Sequence, residues 1–462
     1  MAKEESSYRA HVLLLPCPIQ GHINPMLQFA KRLDSKGIKA TLATTLFLIN
    51  SAHLDARSAG ITVESISDGC DDGGYAQVGS IDEYLNRFET AGSRTLSQLI
   101  KKLDYLGHTL HCLVYDSMLP WAMDVAEQLG LHGAPFFTQS CTVDAIYYHV
   151  HHQNLNFLLN DIIPSLPGLP PLRIRDMPSF LSVPGSYPAY LASVLSQFSN
   201  VGKASWVLLN TFDKLEPEVV KSMAESLPIK TIGPTVPSLY LDQRVEGDKH
   251  YNINLMMPES LKCIKWLDER AIGSVVYVSF GSMASLTMEQ MEELACGLVG
   301  CKAHFLWVVR EAEKNKLPEK FMESTMTEVG LIVTWCPQLE VLAHQAVGCF
   351  VTHCGWNSTV EALSLGVPVV GLPQWSDQPT NAKCLEDVWG VGLRAGIDET
   401  GMVSREEIGS CIREVMEGER GKELKRNAMK WRELAIEAVD LGGSSDKNTD
   451  EFVENLVRSS KT

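Results

Sequence analysis

Short apolar runs alternate with longer amphipathic stretches along the whole chain. In the first half these runs predict strands at His11–Pro16, Lys39–Thr44, Ile61–Ser65, His111–Tyr115, Gly133–Phe137 and Trp206–Leu209. In the second half they predict strands at Ser274–Phe280, His304–Val309, Leu331–Trp335, Val347–Thr352 and in the string VPVVGLP from Val367. Short apolar runs between helical segments are typical of strands buried in a parallel sheet. The pattern therefore predicts an α/β protein built around parallel sheets.

Two passages interrupt this alternation. A Pro-rich passage from Ile162 predicts a long loop, and the stretch from about Pro234 to Pro258 has turn formers, mixed charge and little periodicity. The length of 462 residues exceeds one ordinary core and predicts two domains. We predict an N-terminal domain at 1–240, a linker at 241–258 and a C-terminal domain at 259–442.

The net charge, the apolar runs and the cysteine spacing argue against several kinds of partner: nucleic acid, membranes and a bound metal. The 40 basic and 56 acidic residues give a net charge of −16, which repels nucleic acid and anionic lipid. The N-terminal string MAKEESSYRA lacks the apolar stretch of a signal peptide, and no run reaches the ~18 apolar residues of a membrane span. The 12 cysteines lack zinc-site or C-x-x-C spacing. We expect a cytosolic monomer without nucleic-acid partners, membrane insertion or a bound metal.

His22 and Asp116 each follow a predicted strand, where ligands bind in open α/β folds. His22 also lies at the start of a helix, whose partial positive charge favours the neutral imidazole that a general base requires. Asp116 can fix the tautomer of the ring and stabilise the imidazolium. Taken singly, a packed or capping histidine and an N-cap aspartate are the alternative interpretations.

A second group of polar residues lies between Trp335 and Gln378. The turn HCGWNS opens a helix, and Gly355 permits close approach of a ligand to the backbone. Asn357 and Ser358 place donors beside the free amides of the helix N-terminus, which predicts an anion site to which His353 can add another donor.

The same segment offers groups for a base and for sugars. Glu361 lies one turn after Asn357 and can accept from both ribose hydroxyls, and Trp335 offers a flat face for a planar base. Asp377 and Gln378 offer acceptors and donors suited to sugar hydroxyls.

This segment resembles the C-terminal signature of plant UDP-dependent family 1 glycosyltransferases, and His22 and Asp116 match the catalytic dyad of that family. The resemblance extends over essentially the whole chain, including VSFGSM from Val278 and the final GGSSDKN. NTFDKLE and TIGPTVPS resemble the subgroup that glucosylates benzoates, jasmonates, thiohydroximates and steroid or triterpenoid alcohols.

The resemblance implies a role for each matching residue. Trp335 would stack on uracil with Gln338 close to the uridine, and Glu361 would hold the ribose. The diphosphate would be held by His353, Asn357, Ser358 and Ser282. The sugar would be held by Trp356, Asp377 and Gln378, and Gln378 would favour glucose.

The resemblance also implies the fold and the reaction. The fold would be GT-B, with two Rossmann-like domains facing across a cleft and a last helix at about 443–462 that returns to the first domain. The reaction would be a single inverting displacement that forms a β-glucoside, with UDP-glucose as co-substrate and no cofactor.

Two weaker patterns invite other chemistry. His149, His151 and His152 cluster in YYHVHH, and DGCDD from Asp68 groups carboxylates. The first has no acidic or cysteine partner at metal-ligand spacing, and the second lies among glycines typical of a solvated loop. No G-x-G-x-x-G follows the first strand, which argues against an NAD-dependent UDP-sugar enzyme.

The acceptor side is predicted from apolar and aromatic content. The segments are Tyr75–Arg87, Gln139–His152 and Pro164–Tyr190, and the individual candidates are Gly21, Phe137, Tyr147, Tyr148 and Phe180. They favour a flat hydrophobic acceptor, a steroid or triterpenoid alcohol or a phenolic. Two alternatives stay open: glucose ester or thioglucoside formation, and a catalytically silent UDP-sugar sensor.

Overall fold

The computed structural model describes residues 8–52, 60–152, 166–251, 253, 255–318, 321 and 329–459. The chain forms two compact units. The first comprises Met1–Pro171, Val183–Leu255 and Glu437–Thr462, and the second comprises Leu172–Ser182 and Met256–Ile436.

A parallel sheet forms the centre of the first unit. Within the described residues it has seven strands in the order β3-β2-β1-β4-β5-β6-β7. The strands are β1 His11–Leu15, β2 Lys39–Thr45, β3 Thr62–Ile66, β4 Cys112–Asp116, β5 His132–Phe137, β6 Val207–Leu209 and β7 Ile229–Thr231. All five residues of β1 and of β4 are buried, as expected for central strands covered on both faces.

Helices cover both faces of this sheet. They are α1 Gln20–Ser35, α2 Leu46–Ser51, α3 Ile81–Tyr105, α4 Trp121–Gln128, α5 Cys141–His151, α7 Pro188–Ser196 and α8 Pro217–Ala224, while α6 Ser179–Ser182 belongs to the second unit. Serine N-caps start two of them: Ser80 accepts from the Glu83 amide and Ser140 from the Val143 amide. Short 3-10 helices lie at Gly74–Gln77, Val201–Lys203 and Ser238–Tyr240.

The second unit has its own parallel sheet. Its described strands run in the order β10-β9-β8-β11-β12-β13. They are β8 Val275–Ser279, β9 His304–Val308, β10 Gly330–Val333, β11 Val347–Thr352, β12 Val369–Gly371 and β13 Gly392–Arg394. The helices are α9 Ser260–Asp268, α10 Met288–Gly300, α11 Gln338–Leu342, α12 Trp356–Leu365, α13 Gln378–Lys383, α14 Arg405–Glu417 and α15 Glu419–Val439. A π-helix spans Cys384–Val388, and 3-10 helices span Ile174–Asp176 and Glu311–Lys316.

The last helix, α16 Ser444–Ser459, packs into the core of the first unit. The ring of Phe452 lies 4.9 Å from that of Trp206 and 5.9 Å from that of Phe29, measured between centroids. The Lys36 ammonium pairs with Asp446 at 2.7 Å. Apolar burial and a partly buried ion pair therefore both fix this helix.

The segment predicted as the linker is packed along α1. Lys31 and Asp248 form a buried ion pair at 2.8 Å. The side chain of Gln20 donates to the Ile253 carbonyl at 2.8 Å and accepts from the Leu255 amide at 2.8 Å. The described residues up to Leu255 therefore belong to the first unit.

The α/β class and the parallel sheets predicted from the sequence are confirmed. Every predicted strand is present, with ends that shift by one or two residues. The strands β7 and β13 were not predicted, because each has only one aliphatic residue among three and so forms no apolar run. Across the described ranges, no helix combines the length and the apolar character needed to cross a membrane.

Candidate active site

The His22 imidazole and the Asp116 carboxylate are hydrogen-bonded in the first unit, with Nδ1 2.6 Å from Oδ2. They meet because β1 and β4 are neighbouring parallel strands, so the chain leaves both at the same edge of the sheet. The His22 side chain is 23% exposed and that of Asp116 is fully buried. With Nδ1 facing the carboxylate, Nε2 is the ring nitrogen available to take a proton.

Backbone amides hold the carboxylate in place. The Cys17 amide donates to Asp116 Oδ2 at 3.2 Å, and the Met118 amide donates to Oδ1 at 3.0 Å. Thr138 adds a hydroxyl 3.2 Å from His22 Nδ1. Sequence reasoning missed Thr138. Its position directly after the predicted strand Gly133–Phe137 was an available signal.

In the second unit, the predicted donor residues follow four strands at the carboxyl edge of the sheet. Ser282 comes after β8, Trp335 after β10, His353 after β11 and Asp377 after β12. The Trp335 carbonyl accepts from the Glu259 amide at 3.0 Å, and the Trp335 side chain is half-buried. The structure therefore brings the predicted positions to the edge where ligands bind in such sheets.

Two glycines enclose the ring of His353. A Cβ on Gly281 would lie 2.8 Å from the ring Cε1, and one on Gly355 would lie 2.6 Å from Nε2. Gly281 also has a φ of 69°, which favours glycine. Burial lowers the pKa of His353 to about 4, and the nearby Arg310 charge acts in the same direction. The imidazole is therefore neutral near pH 7 and can donate through one nitrogen only.

The helix α12 begins at this histidine turn. Its N-cap residue is Gly355, which has no side chain that could accept from the first amides. Asn357 is half-buried and Ser358 is buried in the first turn of the helix. The N-terminus of a ten-residue helix is suited to bind an anionic group.

Gln338 connects three residues of the second unit. Its Oε1 accepts from the Tyr277 hydroxyl at 2.9 Å, and its Nε2 donates to Glu361 Oε2 at 2.6 Å and to Ser358 Oγ at 3.0 Å. The Tyr277 hydroxyl also lies 3.1 Å from Cys336 Sγ. Burial raises the pKa of Tyr277 well above the ordinary value. Sequence reasoning missed Tyr277, which reads as one more buried strand residue.

Asp377 and Gln378 are both buried and hydrogen-bonded. Asn381 donates to Asp377 Oδ2 at 2.6 Å and to the Cys354 carbonyl at 3.0 Å. Burial raises the pKa of Asp377 to about 6, although hydrogen bonds to the carboxylate oppose that rise. The Oε1 of Gln378 accepts from the amides of Gln374 and Trp375, so its amide nitrogen is the side chain's donor group.

Two predicted site residues use their rings for packing within the second unit. The Trp356 ring is buried 6.0 Å from that of Trp389. The Phe180 ring packs edge-on against Trp375 at 5.7 Å. The sequence grouped Phe180 with the first domain, but Asp176 of the same segment pairs with Arg394 at 2.8 Å, which ties the segment to the second unit.

Arg310 supports the turn that carries Ser282. Its guanidinium donates to the carbonyls of Ser282 and Ala284. Burial lowers the pKa of Arg310, while the charge of Glu313 acts in the opposite direction. Sequence reasoning missed this residue, because the contact joins two loops that are far apart in the chain.

The aromatic acceptor candidates of the first unit lie around Phe198. The Phe137 ring stacks on Phe198 at 5.5 Å, and the Tyr148 ring meets it edge-on at 5.6 Å. Tyr147 is buried and Gly21 is half-buried. His152 lies against Tyr148, with ring centroids 4.2 Å apart. Pro164 and the first part of its predicted segment lie outside the described residues.

Comparisons with known proteins identify the class. The family model described as UDP-glucoronosyl and UDP-glucosyl transferase matches residues 250–437. UDP-glycosyltransferase 74F2 from Arabidopsis thaliana is 50% identical over 450 residues, covering 97% of this chain and 98% of that protein. Flavonol 7-O-beta-glucosyltransferase UGT74F1 from Arabidopsis thaliana is 48% identical over 452 residues, covering 97% and 98%. The crystal structure of Os79 from O. sativa in complex with UDP is 41% identical, with a TM-score of 0.90 over 96% of this chain and 100% of that one.

The two parallel-sheet units and these neighbours define a UDP-glycosyltransferase with the GT-B fold. The chain belongs to the plant family 1 UDP-glycosyltransferases, within group 74, and is a UDP-glucosyltransferase. The predicted family, fold and enzyme class are thus confirmed. The roles of the individual residues stay predictions.

Proposed function

We propose that the enzyme transfers glucose from UDP-glucose to a hydroxyl of a small hydrophobic acceptor and forms a β-O-glucoside. The observation that carries the proposal is the His22–Asp116 pair, with its 2.6 Å hydrogen bond and its partly exposed imidazole. An alcohol is a poor nucleophile until its proton is being removed, and this pair is built to remove one.

The reaction is a single displacement at the anomeric carbon. The acceptor oxygen forms a bond to that carbon while the bond to the UDP oxygen breaks, and the hydroxyl proton passes to His22 Nε2. The Asp116 carboxylate stabilises the imidazolium that results. Attack opposite to the leaving UDP inverts the configuration, so that an α-linked donor gives a β-linked product.

The donor is held by residues of the second unit. We propose that Trp335 stacks on the uracil, that Gln338 lies close to the uridine and that Glu361 accepts from the ribose hydroxyls. The start of α12, with Asn357, Ser358, His353 and Ser282, binds the diphosphate. Structure neighbours that bind UDP support this assignment.

The sugar is held by Asp377, Gln378 and the backbone of Trp356. The carboxylate of Asp377 can accept from two hydroxyls, and the amide nitrogen of Gln378 can donate. We propose that this pair favours glucose over galactose, which differs only in the orientation of one hydroxyl. No bound metal or cofactor takes part in the proposed chemistry.

The acceptor is proposed to be a phenolic or a steroid-like alcohol. The aromatic cluster of Phe137, Phe198 and Tyr148 offers flat apolar surface in the first unit. Flavonol 7-O-beta-glucosyltransferase UGT74F1 carries a phenolic acceptor in its name, and one Os79 crystal structure contains a trichothecene. We also propose action in a reducing compartment such as the cytosol, because all twelve cysteines are free thiols.

An acceptor panel tests the proposal. The enzyme is incubated with UDP-glucose and with matched acceptors that carry a phenol, a steroid alcohol, a carboxylic acid or a thiol. The products are identified by mass spectrometry. We expect glucosides of the alcohols, with an anomeric proton coupling typical of the β configuration. UDP release without any glucosylated product, or an α-linked product, would contradict the proposal. A preference for UDP-galactose in direct competition would contradict the role of Gln378.

A further inference from the structure

We propose that Cys17, His22 and Asp116 form a binding site for a thiophilic divalent cation such as Zn²⁺. Each residue offers one ligand atom, and these atoms all lie within 4.8 Å of one another. Among the residues that the structure describes, this is the only such group of three histidine, cysteine or acidic side chains. The inference goes beyond the proposed transfer reaction, in which Cys17 has no part through its thiol.

The backbone fixes the relative positions of the three ligands. Cys17 follows β1, which pairs with β4 in the register that sets Leu15 beside Tyr115. The Cys17 amide donates to Asp116 at 3.2 Å, so the thiol side chain starts from a backbone that is already tied to the carboxylate. Two adjacent strands therefore position Cys17 and Asp116, and the 2.6 Å hydrogen bond between His22 and Asp116 places the third ligand beside them.

The ligand chemistry suits zinc. Zinc is bound by cysteine sulfur at about 2.3 Å and by histidine nitrogen at about 2.0 Å, in tetrahedral sites with thiolate, imidazole and carboxylate ligands. Ligand atoms of such a site lie roughly 3 to 4 Å apart, and those of Cys17, His22 and Asp116 all lie within 4.8 Å of one another. Three protein ligands leave the fourth position to water, which can enter because His22 is 23% exposed.

Binding has a defined proton balance. The cation binds the Cys17 sulfur as a thiolate and displaces one thiol proton to solvent. Because cysteine binds such a cation only in its deprotonated form, the release of this proton makes cation binding depend on pH. The cation also takes the place of the proton on His22 Nδ1, and the neutral ring then carries its proton on Nε2.

This tautomer cannot serve as the base. An Nε2 that bears a proton cannot accept one from the acceptor hydroxyl, and Asp116 no longer faces Nδ1. The site is therefore inhibitory, and this consequence alone rests on the proposed function. The binding itself does not.

The test measures binding first. Co²⁺ is added to the full-length wild-type protein and to the variants Cys17→Ser and Cys17→Ala, and the near-ultraviolet charge-transfer band from thiolate to cobalt is recorded. Zn²⁺ affinity is then measured by competition with a chromogenic indicator. The control is Cys296→Ser, because Cys296 is the one half-buried cysteine and all others are buried. Both Cys17 variants keep the backbone amide that donates to Asp116, and their thermal unfolding shows whether they are folded.

We expect the cobalt band in the wild type and in Cys296→Ser, and its loss in both Cys17 variants with at least a tenfold weaker Zn²⁺ affinity. Zn²⁺ should inhibit glucosyl transfer by the wild type, and the half-inhibitory concentration should rise at least tenfold in folded Cys17 variants, each compared with its own cation-free rate. A cobalt band that persists without Cys17, or its absence from the wild type, would overturn the site. Tight binding without inhibition would overturn the inhibitory role.

Discussion

The side chain of Gln338 donates a hydrogen bond of 2.6 Å to the carboxylate of Glu361. Its other end accepts from the hydroxyl of Tyr277 at 2.9 Å. Because both ends of the amide are occupied, Gln338 can sit in only one orientation, and that orientation aims the Glu361 carboxylate. Glu361 is the residue proposed to hold the ribose of UDP-glucose. The hydrogen bonds of Gln338 therefore position a residue that is proposed to bind this substrate.

Gln338→Leu should weaken donor binding. The substitution removes a hydrogen bond to a charged group, which contributes about 1.5 to 3 kcal/mol, and leaves a buried carboxylate without that partner. We expect the KM for UDP-glucose and the Kd for UDP to rise about ten- to a hundredfold, with a smaller change in kcat. Calorimetry with UDP measures the effect.

The control for that substitution is Gln345→Leu, because Gln345 is exposed in the same unit. Tyr277→Phe removes only the hydroxyl and should give a smaller loss of UDP affinity in the same direction. Unchanged UDP binding in Gln338→Leu would show that the network does not position Glu361.

Gly281→Ala should disturb the proposed diphosphate site. The new Cβ would lie 2.8 to 2.9 Å from two ring atoms of His353, so the imidazole must shift. Gly273→Ala is a matched control, since Gly273 has a similar φ of 64° and nothing within 4 Å of its Cβ position. Both variants lose stability because alanine is disfavoured at a positive φ, by about 1 to 2 kcal/mol.

The overlap should cost Gly281→Ala a further 1 to 3 kcal/mol, roughly the usual range for overpacking. Only this variant should also lose UDP affinity. Thermal unfolding and UDP titration separate the two effects. Equal behaviour of the two variants would mean that contact with His353 does not limit this turn.

Asp377 should make the binding of the sugar depend on pH. Its pKa is raised to about 6 by burial, and only the ionised carboxylate accepts from hydroxyls with both oxygens. The affinity for UDP-glucose should therefore fall about tenfold from pH 7 to pH 5, as the ionised fraction falls. His353, with a pKa of about 4, stays neutral over this range.

The variant Asp377→Asn is the control, because it lacks the titrating carboxylate and binds the same UDP-glucose. A raised carboxyl pKa also means that the folded protein holds more protons than the unfolded chain between about pH 4 and 6. The contribution of Asp377 to stability should therefore decrease as the pH rises through that window, and the difference in stability between the wild type and Asp377→Asn measures it. Parallel pH profiles of UDP-glucose binding for the wild type and Asp377→Asn would argue against contact between Asp377 and the sugar.

Much of the fold could be predicted from the sequence because buried parallel strands read as apolar runs. His22 and Asp116 could be found for a related reason: polar residues directly after such strands stand out. The turn at His353 could also be predicted, because it joins a predicted strand to a predicted helix through a glycine.

The remaining features depend on contacts that no local pattern records. Tyr277 lies inside an apolar strand, and only the fold sets its hydroxyl beside Gln338. Arg310 reaches carbonyls of a loop that precedes it by more than twenty residues. The passage up to Leu255 reads as a linker because its anchors to α1 are polar pairs such as Lys31 with Asp248.

The proposed base is tested most directly by His22→Gln, with His132→Gln as a matched control. His132 starts β5 at the opposite edge of the sheet from Asp116, with Nδ1 3.0 Å from Ser205 Oγ. Turnover of an alcohol acceptor and UDP-glucose binding are measured for both variants. We predict that His22→Gln lowers kcat by roughly 10²- to 10⁴-fold, the usual contribution of a general base, with UDP-glucose affinity unchanged. Wild-type turnover of the alcohol by folded His22→Gln would contradict the account.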